Sequence, residues 1–320
     1  MWTGTADAIR RGVAFLASTQ HPSGELQVLA SGQPDPSVFP TAVMTHSLSF
    51  VPEADEVRAK ALDFLEEEMS ARGLWRHWPQ RHPQHHLLPP DLDDTSCAAA
   101  TLRAAGRTFP DQRGLLLANR TRQGLFRTWV LTRTELRHPL VLCLFFHRTS
   151  ARPFDVDAVV NANVVHYLGP RPETRAAVDF LLRVLRDHRE RACDKWYDDP
   201  FAVWYFFSRA LRATAPEAGL LFEEKLASAN PAHALHHALA ACVRHDWQLP
   251  VSVAPLLALQ REDGSWPAAP LYHGGRRRRR DGTFDAPHPD TPHWGSDELT
   301  TAFAIEALAR ARTASPVAAS

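Results

Sequence analysis

Apolar residues recur at helical spacing along most of the chain. Ile9, Val13, Leu16 and Ala17 fall on one face, and so do Val57, Ala61, Phe64 and Leu65. Ala177, Phe180, Leu181, Val184 and Leu185 form a stripe opposite Asp179, Arg183, Arg186 and Asp187. Such faces predict amphipathic helices with one side on a core. Between them lie segments of another kind. Residues 41–50, 95–105, 157–168, 201–211, 231–243 and 299–309 are apolar or small almost all round, which suits burial on most faces. The two kinds alternate, giving roughly twelve helices in about six pairs. Half-exposed helices packed outside fully buried ones predict an all-α fold. It is an (α/α)6 toroid with two concentric layers, one domain over residues 1–320. An open solenoid of helix pairs is the competing arrangement.

Local signals refine this outline. Asp199-Pro200 and Asn230-Pro231 each set a capping side chain before a proline at a helix start, and Pro172 opens the helix that carries Ala177. Residues 125–146, rich in Leu, Thr, Val and Phe, are expected to hold a hairpin. Residues 274–293 form a long basic loop, and residues 312–320 a small, polar, flexible tail. A repeat is visible in Gln20-x-x-x-Gly24 and Gln260-x-x-x-Gly264-Ser265-Trp266, with Gly73-Leu74-Trp75 and Lys195-Trp196-Tyr197 at similar places after helices. Glycine permits the left-handed turn, glutamine bonds orphan carbonyls, and the aromatic ring plugs the turn.

Composition narrows the class. Lys plus Arg and Asp plus Glu both number 36, so no overall field favours nucleic acid. No apolar run is long enough to span a bilayer, and the first residues do not read as a signal peptide. A cytoplasmic protein, peripheral to a membrane at most, is expected. Cys97, Cys143, Cys193 and Cys242 are scattered and read as reduced packing residues.

The chemistry concentrates at Asp91-Leu92-Asp93-Asp94. One reading is a helix start, where a capping carboxylate and the dipole lower the acid pKa values. The other is a dry site, where burial and like charges push at least one carboxyl toward its neutral form. The dipole contributes about 0.3–1 kcal/mol, whereas burial can shift a pKa by several units. His77, His82, His85 and His86 crowd the approach, as a solvated loop, a relay to the acid or a zinc cluster. Asn161 and Asn163 interrupt an apolar helix near Asp155, Asp157 and His166; a buried Asn either ties helices together or lines a cavity. Trp75, Trp78, Trp204, Tyr205, Phe206, Phe207 and Trp294 are core filling or faces for a cation. Five consecutive arginines at 276–280 are a solvated run or a diphosphate grip, which Lys195 and Arg209 join from elsewhere on the rim.

These residues resemble the class II terpene cyclases, the family of squalene–hopene cyclase and copalyl diphosphate synthases. Asp91 to Ser96 fits the Asp-x-Asp-Asp-Thr-(Ala/Ser) motif, and Gln260 to Trp266 the Gln-x-x-x-Gly-x-Trp repeat. Trp294-Gly295-Ser296 with 299–302 resembles the closing helix. The chain corresponds to the acidic-motif barrel alone. The resemblance implies cyclisation of a small-molecule isoprenoid started by protonation, with Asp93 as general acid and Asp91 and Asp94 holding it. Trp75, Trp78, His86, Asn161, Asn163, Trp204, Tyr205 and Trp294 are the expected pocket, and Arg276, Arg277 and Arg278 the expected diphosphate contacts. The chemistry then needs no cofactor or metal, and Mg2+ only if the substrate bears a diphosphate. A partner domain or oligomer is left open. The alternatives are a non-catalytic isoprenoid-binding barrel and an α/α-toroid glycosidase, whose two carboxyls stand about 5–9.5 Å apart.

Overall fold

Six buried helices close into a ring. In the computed structural model, which describes residues 2–133, 139–279 and 284–314, they are α2 (Val38–Leu48), α4 (Leu92–Ala104), α7 (Ala158–Leu168), α9 (Pro200–Leu211), α11 (Ala234–Asp246) and α13 (Asp297–Ala314). Each packs on the next, and α13 packs back on α2. An open solenoid has no such closing contact, so the toroid is the observed arrangement. The outer layer is α1 (Trp2–Thr19), α3 (Asp55–Glu67), α5 (Arg113–Ala118), α8 (Arg175–Arg186), α10 (Ala218–Ser228) and α12 (Ala254–Leu259). The segments that are apolar or small almost all round became the inner ring because most of their faces meet protein.

The inner helices run in one direction. His46, in the last turn of α2, contacts the ring of His166, in the last turn of α7 (5.6 Å). His166 in turn bonds the carbonyl of Arg209, in the last turn of α9 (3.2 Å). The positive ends of the helix dipoles therefore gather at the opposite rim, where the acidic motif lies.

The turn device appears as expected. Gln20 Nε2 donates to the carbonyls of Gly24 (2.8 Å) and Val57 (2.9 Å). Gln260 Nε2 does the same to Gly264 (2.9 Å) and Ala8 (2.8 Å). Each glutamine ties its turn to the neighbouring outer helix. Gly264 has φ +91°, and a Cβ there would lie 2.4 Å from the Arg11 carbonyl oxygen.

Other expectations change. A thirteenth helix, α6 (Pro139–Arg148), lies where a hairpin was expected. Leucines, which are not β-branched, favour the helix. Asn230-Pro231 precedes α11 without capping it; His233 is the cap. The tail starts later than 312, because α13 continues to Ala314 and Arg312 pairs with Glu53 (2.6 Å); residues 315–320 lie outside the described residues. A small antiparallel sheet was not anticipated: β1 (Leu29–Ala30), β2 (Gln33–Pro34), β3 (Tyr272–His273) and β4 (His293–Gly295), in the order β2-β1-β4-β3. It joins the two ends of the chain and carries Tyr272 and Trp294 to the rim.

Candidate active site

The rim encloses a mostly apolar cavity of about 630 Å3, whose walls include Phe39, Trp78, Trp129, Tyr197, Tyr272 and Trp294. Small-molecule pockets commonly span about 300–1,000 Å3. Asp91, Asp93 and Asp94 reach its wall from the start of α4. The Leu92 amide bonds the Thr128 carbonyl (2.9 Å), and the Val130 amide bonds the Pro90 carbonyl (2.8 Å), which pins the motif to the 126–130 segment.

Both readings of the motif are realised, on different residues. Asp91 is the cap, with extended backbone and Oδ1 accepting from the Asp94 amide at 2.8 Å. Asp93 is the candidate acid. Its Oδ1 accepts from Asn163 Nδ2 (2.7 Å) and its Oδ2 from the Tyr197 hydroxyl (3.1 Å). Burial first, then the charge of Asp91, pushes the Asp93 pKa up to about 7, against the lowering effect of those two bonds. Burial also lifts Asp91 to about 6, and burial with the Asp91 charge holds Asp94 well above the usual carboxylate range. Desolvation outweighs the helix dipole here.

The aromatic wall is braced from behind. Tyr272 stacks on Trp294 (5.1 Å) and meets Phe39 edge-on (5.5 Å). Asp35 accepts from the indole N–H of both Trp78 (3.2 Å) and Trp294 (2.6 Å), so one carboxylate orients two rings. His77 also lines the cavity, and burial lowers its pKa to about 4, leaving the imidazole neutral.

Other expected site residues lie elsewhere. Trp75 is fully buried as a turn plug, its Nε1 donating to the Leu65 carbonyl (2.7 Å) as Trp266 does to Leu256. Asn161 ties α7 to Phe126 through both backbone groups of that residue (2.9 and 3.0 Å). Trp204 donates to Glu190 (3.1 Å) and Tyr205 to Glu306 (3.2 Å), both away from the cavity, and the α9 ring on the site side is Phe206. His86 is exposed beside His85, outside the cavity wall. Arg276 is buried, its guanidinium donating to the carbonyls of Arg191 (3.0 Å), Asp194 (2.7 Å) and Tyr197 (3.2 Å). Arg277 and Arg278 are exposed and do not line the cavity, and Arg280 lies outside the described residues. Lys195 pairs with Asp155, and Arg209 sits far down α9 between the Tyr205 and Phe206 rings. The grip expected of these cations is therefore absent from the described wall.

Sequence reasoning missed Phe39, Asp35, Trp129, Trp196, Tyr197 and Tyr272. Tyr197 was legible only as a turn aromatic; nothing local marks it as a partner of Asp93, 104 residues earlier. Among the described residues, the histidines at 77–86 form no three-ligand cluster; Asp199, His233 and His236 do. There, however, Nδ1 of His233 and of His236 each faces a backbone N–H (3.4 and 3.2 Å). Those bonds leave the proton on Nε2, which suits capping better than ligation.

No family model matches the chain. Drimenol cyclase drtB of Aspergillus calidoustus is 27% identical over 200 residues, which are 59% of this chain and 34% of that protein. The chain thus spans about a third of that curated relative's length. Among solved structures, the type II terpene cyclase MstE from Scytonema superposes with a TM-score of 0.72 at 17% identity, over 97% of this chain and 99% of that one. A variant of MstE in complex with its substrate geranylgeranyl dihydroxybenzoate gives 0.69 at 16% identity, over 98% of each chain. A protein from Actinoplanes gives 0.68 at 21%, over 96% and 99%. The fold is shared along nearly the whole chain.

Proposed function

We propose that this chain is a class II terpene cyclase, cyclising a linear isoprenoid by protonation with Asp93 as the general acid. The observation that carries the reading is the Asp93 carboxyl at the wall of an apolar cavity, held by Asn163 and Tyr197 and protonated up to about pH 7. The names of the drimenol cyclase and of MstE with its geranylgeranyl substrate point the same way.

In this mechanism the isoprenoid folds against Phe39, Trp78, Tyr272 and Trp294. Asp93 gives its proton to an alkene or epoxide carbon, and the new C–H bond leaves a carbocation. The Asp93 carboxylate left behind is stabilised by Asn163 and Tyr197. Asp94 stays neutral and adds no second charge. Aromatic faces stabilise the cation by about 0.5–2 kcal/mol each without supplying a nucleophile. The protonation itself uses no metal, and an Mg2+ requirement would follow only from a diphosphate head.

The barrel is proposed to work as one domain and at a membrane surface, where isoprenoids partition. No described helix is long and apolar enough to cross a membrane, but Leu140 and Leu144 on α6 are exposed, and Leu144 also lines the cavity. The glycosidase reading lacks support, because the carboxyls on the described wall all come from one helical turn.

The test is to incubate wild type and Asp93→Asn with farnesyl and geranylgeranyl substrates and to analyse products by mass spectrometry. Cyclic product from wild type alone is expected. Equal product from both removes Asp93 as the acid, and tight binding with no product from either leaves a binding protein.

A further inference from the structure

The cavity has an acidic end, an aromatic middle and, among the described residues, a single unpaired cation. Arg148, at the close of α6, lines the wall together with Thr149 and Ser150. It makes no ion pair and no side-chain hydrogen bond among the described residues. The other positive groups near this wall are already committed. Lys195 is held by Asp155 and by the Ser150 carbonyl (2.9 Å). Arg276 is held by three carbonyls. His77 and His273 are kept neutral by burial, each at about 4.

Facing Arg148-Thr149-Ser150 across the wall is the Gly274-Gly275 backbone. A Cβ on Gly275 would lie 2.4 Å from Ser150 Oγ and 2.6 Å from the Trp196 ring, so the glycine lets the two segments close on each other. Ser150 Oγ has no hydrogen-bond partner. The patch offers one guanidinium fork, while the Ser150 hydroxyl is buried against Gly275.

We propose that Arg148 seats the head group of the isoprenoid, and that this head bears a single negative charge of the carboxylate kind rather than a diphosphate. The inference rests on the reading of the cavity as an isoprenoid site. A guanidinium fork matches a carboxylate in two parallel bonds. A diphosphate brings two or three negative charges, and the described wall holds one cation to answer them.

Binding decides the matter without turnover. The Asp93→Asn chain is titrated by calorimetry with three probes sharing a geranylgeranyl chain: a hydroxybenzoic acid, the free alcohol and the diphosphate. The acid is expected to bind about tenfold or more tightly than either of the others. Adding Arg148→Ala should remove that advantage and move the alcohol less than about twofold, and Arg148→Lys should restore part of it. Arg148 is exposed, so these variants are expected to keep the wild-type circular dichroism. Tightest binding by the diphosphate, equal weakening of all three probes by Arg148→Ala, or failure of all three to bind overturns the assignment. Readings can be separated. The expected binding order with no cyclic product from wild type removes the cyclase and leaves the head-group site. Cyclisation with the diphosphate preferred does the reverse.

Discussion

Asn163 Nδ2 lies 2.7 Å from Asp93 Oδ1, while Asn163 Oδ1 is buried and has no hydrogen-bond partner. The amide thus addresses the acid with its donor only, and a donor favours the carboxylate. The bond opposes the burial that holds Asp93 near pH 7. It stabilises the state left after the proton has gone, which suits a group that must both keep a proton and release it.

Replacing Asn163 by Leu should therefore raise the Asp93 pKa further. Activity that requires protonated Asp93 falls as pH rises through about 7 in the wild type. In Asn163→Leu that alkaline limb should move upward by about 0.5–1 pH unit, with a lower maximal rate because the carboxylate product is less well held. A pH–rate profile measures both. A limb that stays put would mean that the bond does not tune the acid.

Asp91 acts with the opposite sign. Its charge raises Asp93, and its side chain caps α4. Asparagine caps about as well as aspartate, so Asp91→Asn should leave the helix intact yet bring the alkaline limb down. Asp91→Ala should do the same and also lose about 1 kcal/mol of stability. Denaturant melts beside pH–rate profiles separate charge from cap.

The acid should also be visible in folding. The pKa of Asp93 is about 7 in the fold against an ordinary 3.8. Its contribution is fully present below the lower value and is lost as pH rises through the upper one. A shift of that size corresponds to about 4 kcal/mol at most once the group is ionised. Asp93→Asn, which keeps the shape and removes the titration, should gain stability over wild type at pH 8 and show little gain at pH 4. Thermal melts across that range test this, and an equal difference at both ends would remove the buried-acid assignment.

The ring was legible because burial on all faces leaves a mark in composition. The inner segment 95–105 carries a charge only at Arg103, and the structure buries its middle completely. The buried carboxyl cluster was legible because three carboxyls in four residues, followed by an uncharged helical run, cannot all stay ionised cheaply once the site is dry. What failed was direction. Asn161 and Asn163 stand two residues apart on α7, and a helix turns about 200° over that step, so one faces Phe126 and the other Asp93. Trp75 and Trp294 look alike as aromatics beside turns, but only Trp294 is on a strand that reaches the rim. Spacing fixes such a difference only when the neighbours are known. Tyr272 and Phe39 come from distant parts of the chain, and no local pattern joins them.

Arg276 is where charge and position part company, and it gives a clean contrast with Arg148. A run of arginines reads as an anion grip, but the first of them is spent inside the protein on three carbonyls. Arg276→Met keeps much of the volume and leaves those carbonyls short of a donor, at about 1–3 kcal/mol for a buried unsatisfied group. The variant should therefore melt several degrees lower than wild type. The protein that remains folded should retain its KM for an isoprenoid substrate, whereas Arg148→Ala should raise KM and leave the melting temperature alone. Measuring both quantities on both variants separates the two roles. An Arg276→Met chain with unchanged stability and weakened substrate binding would return that arginine to the site.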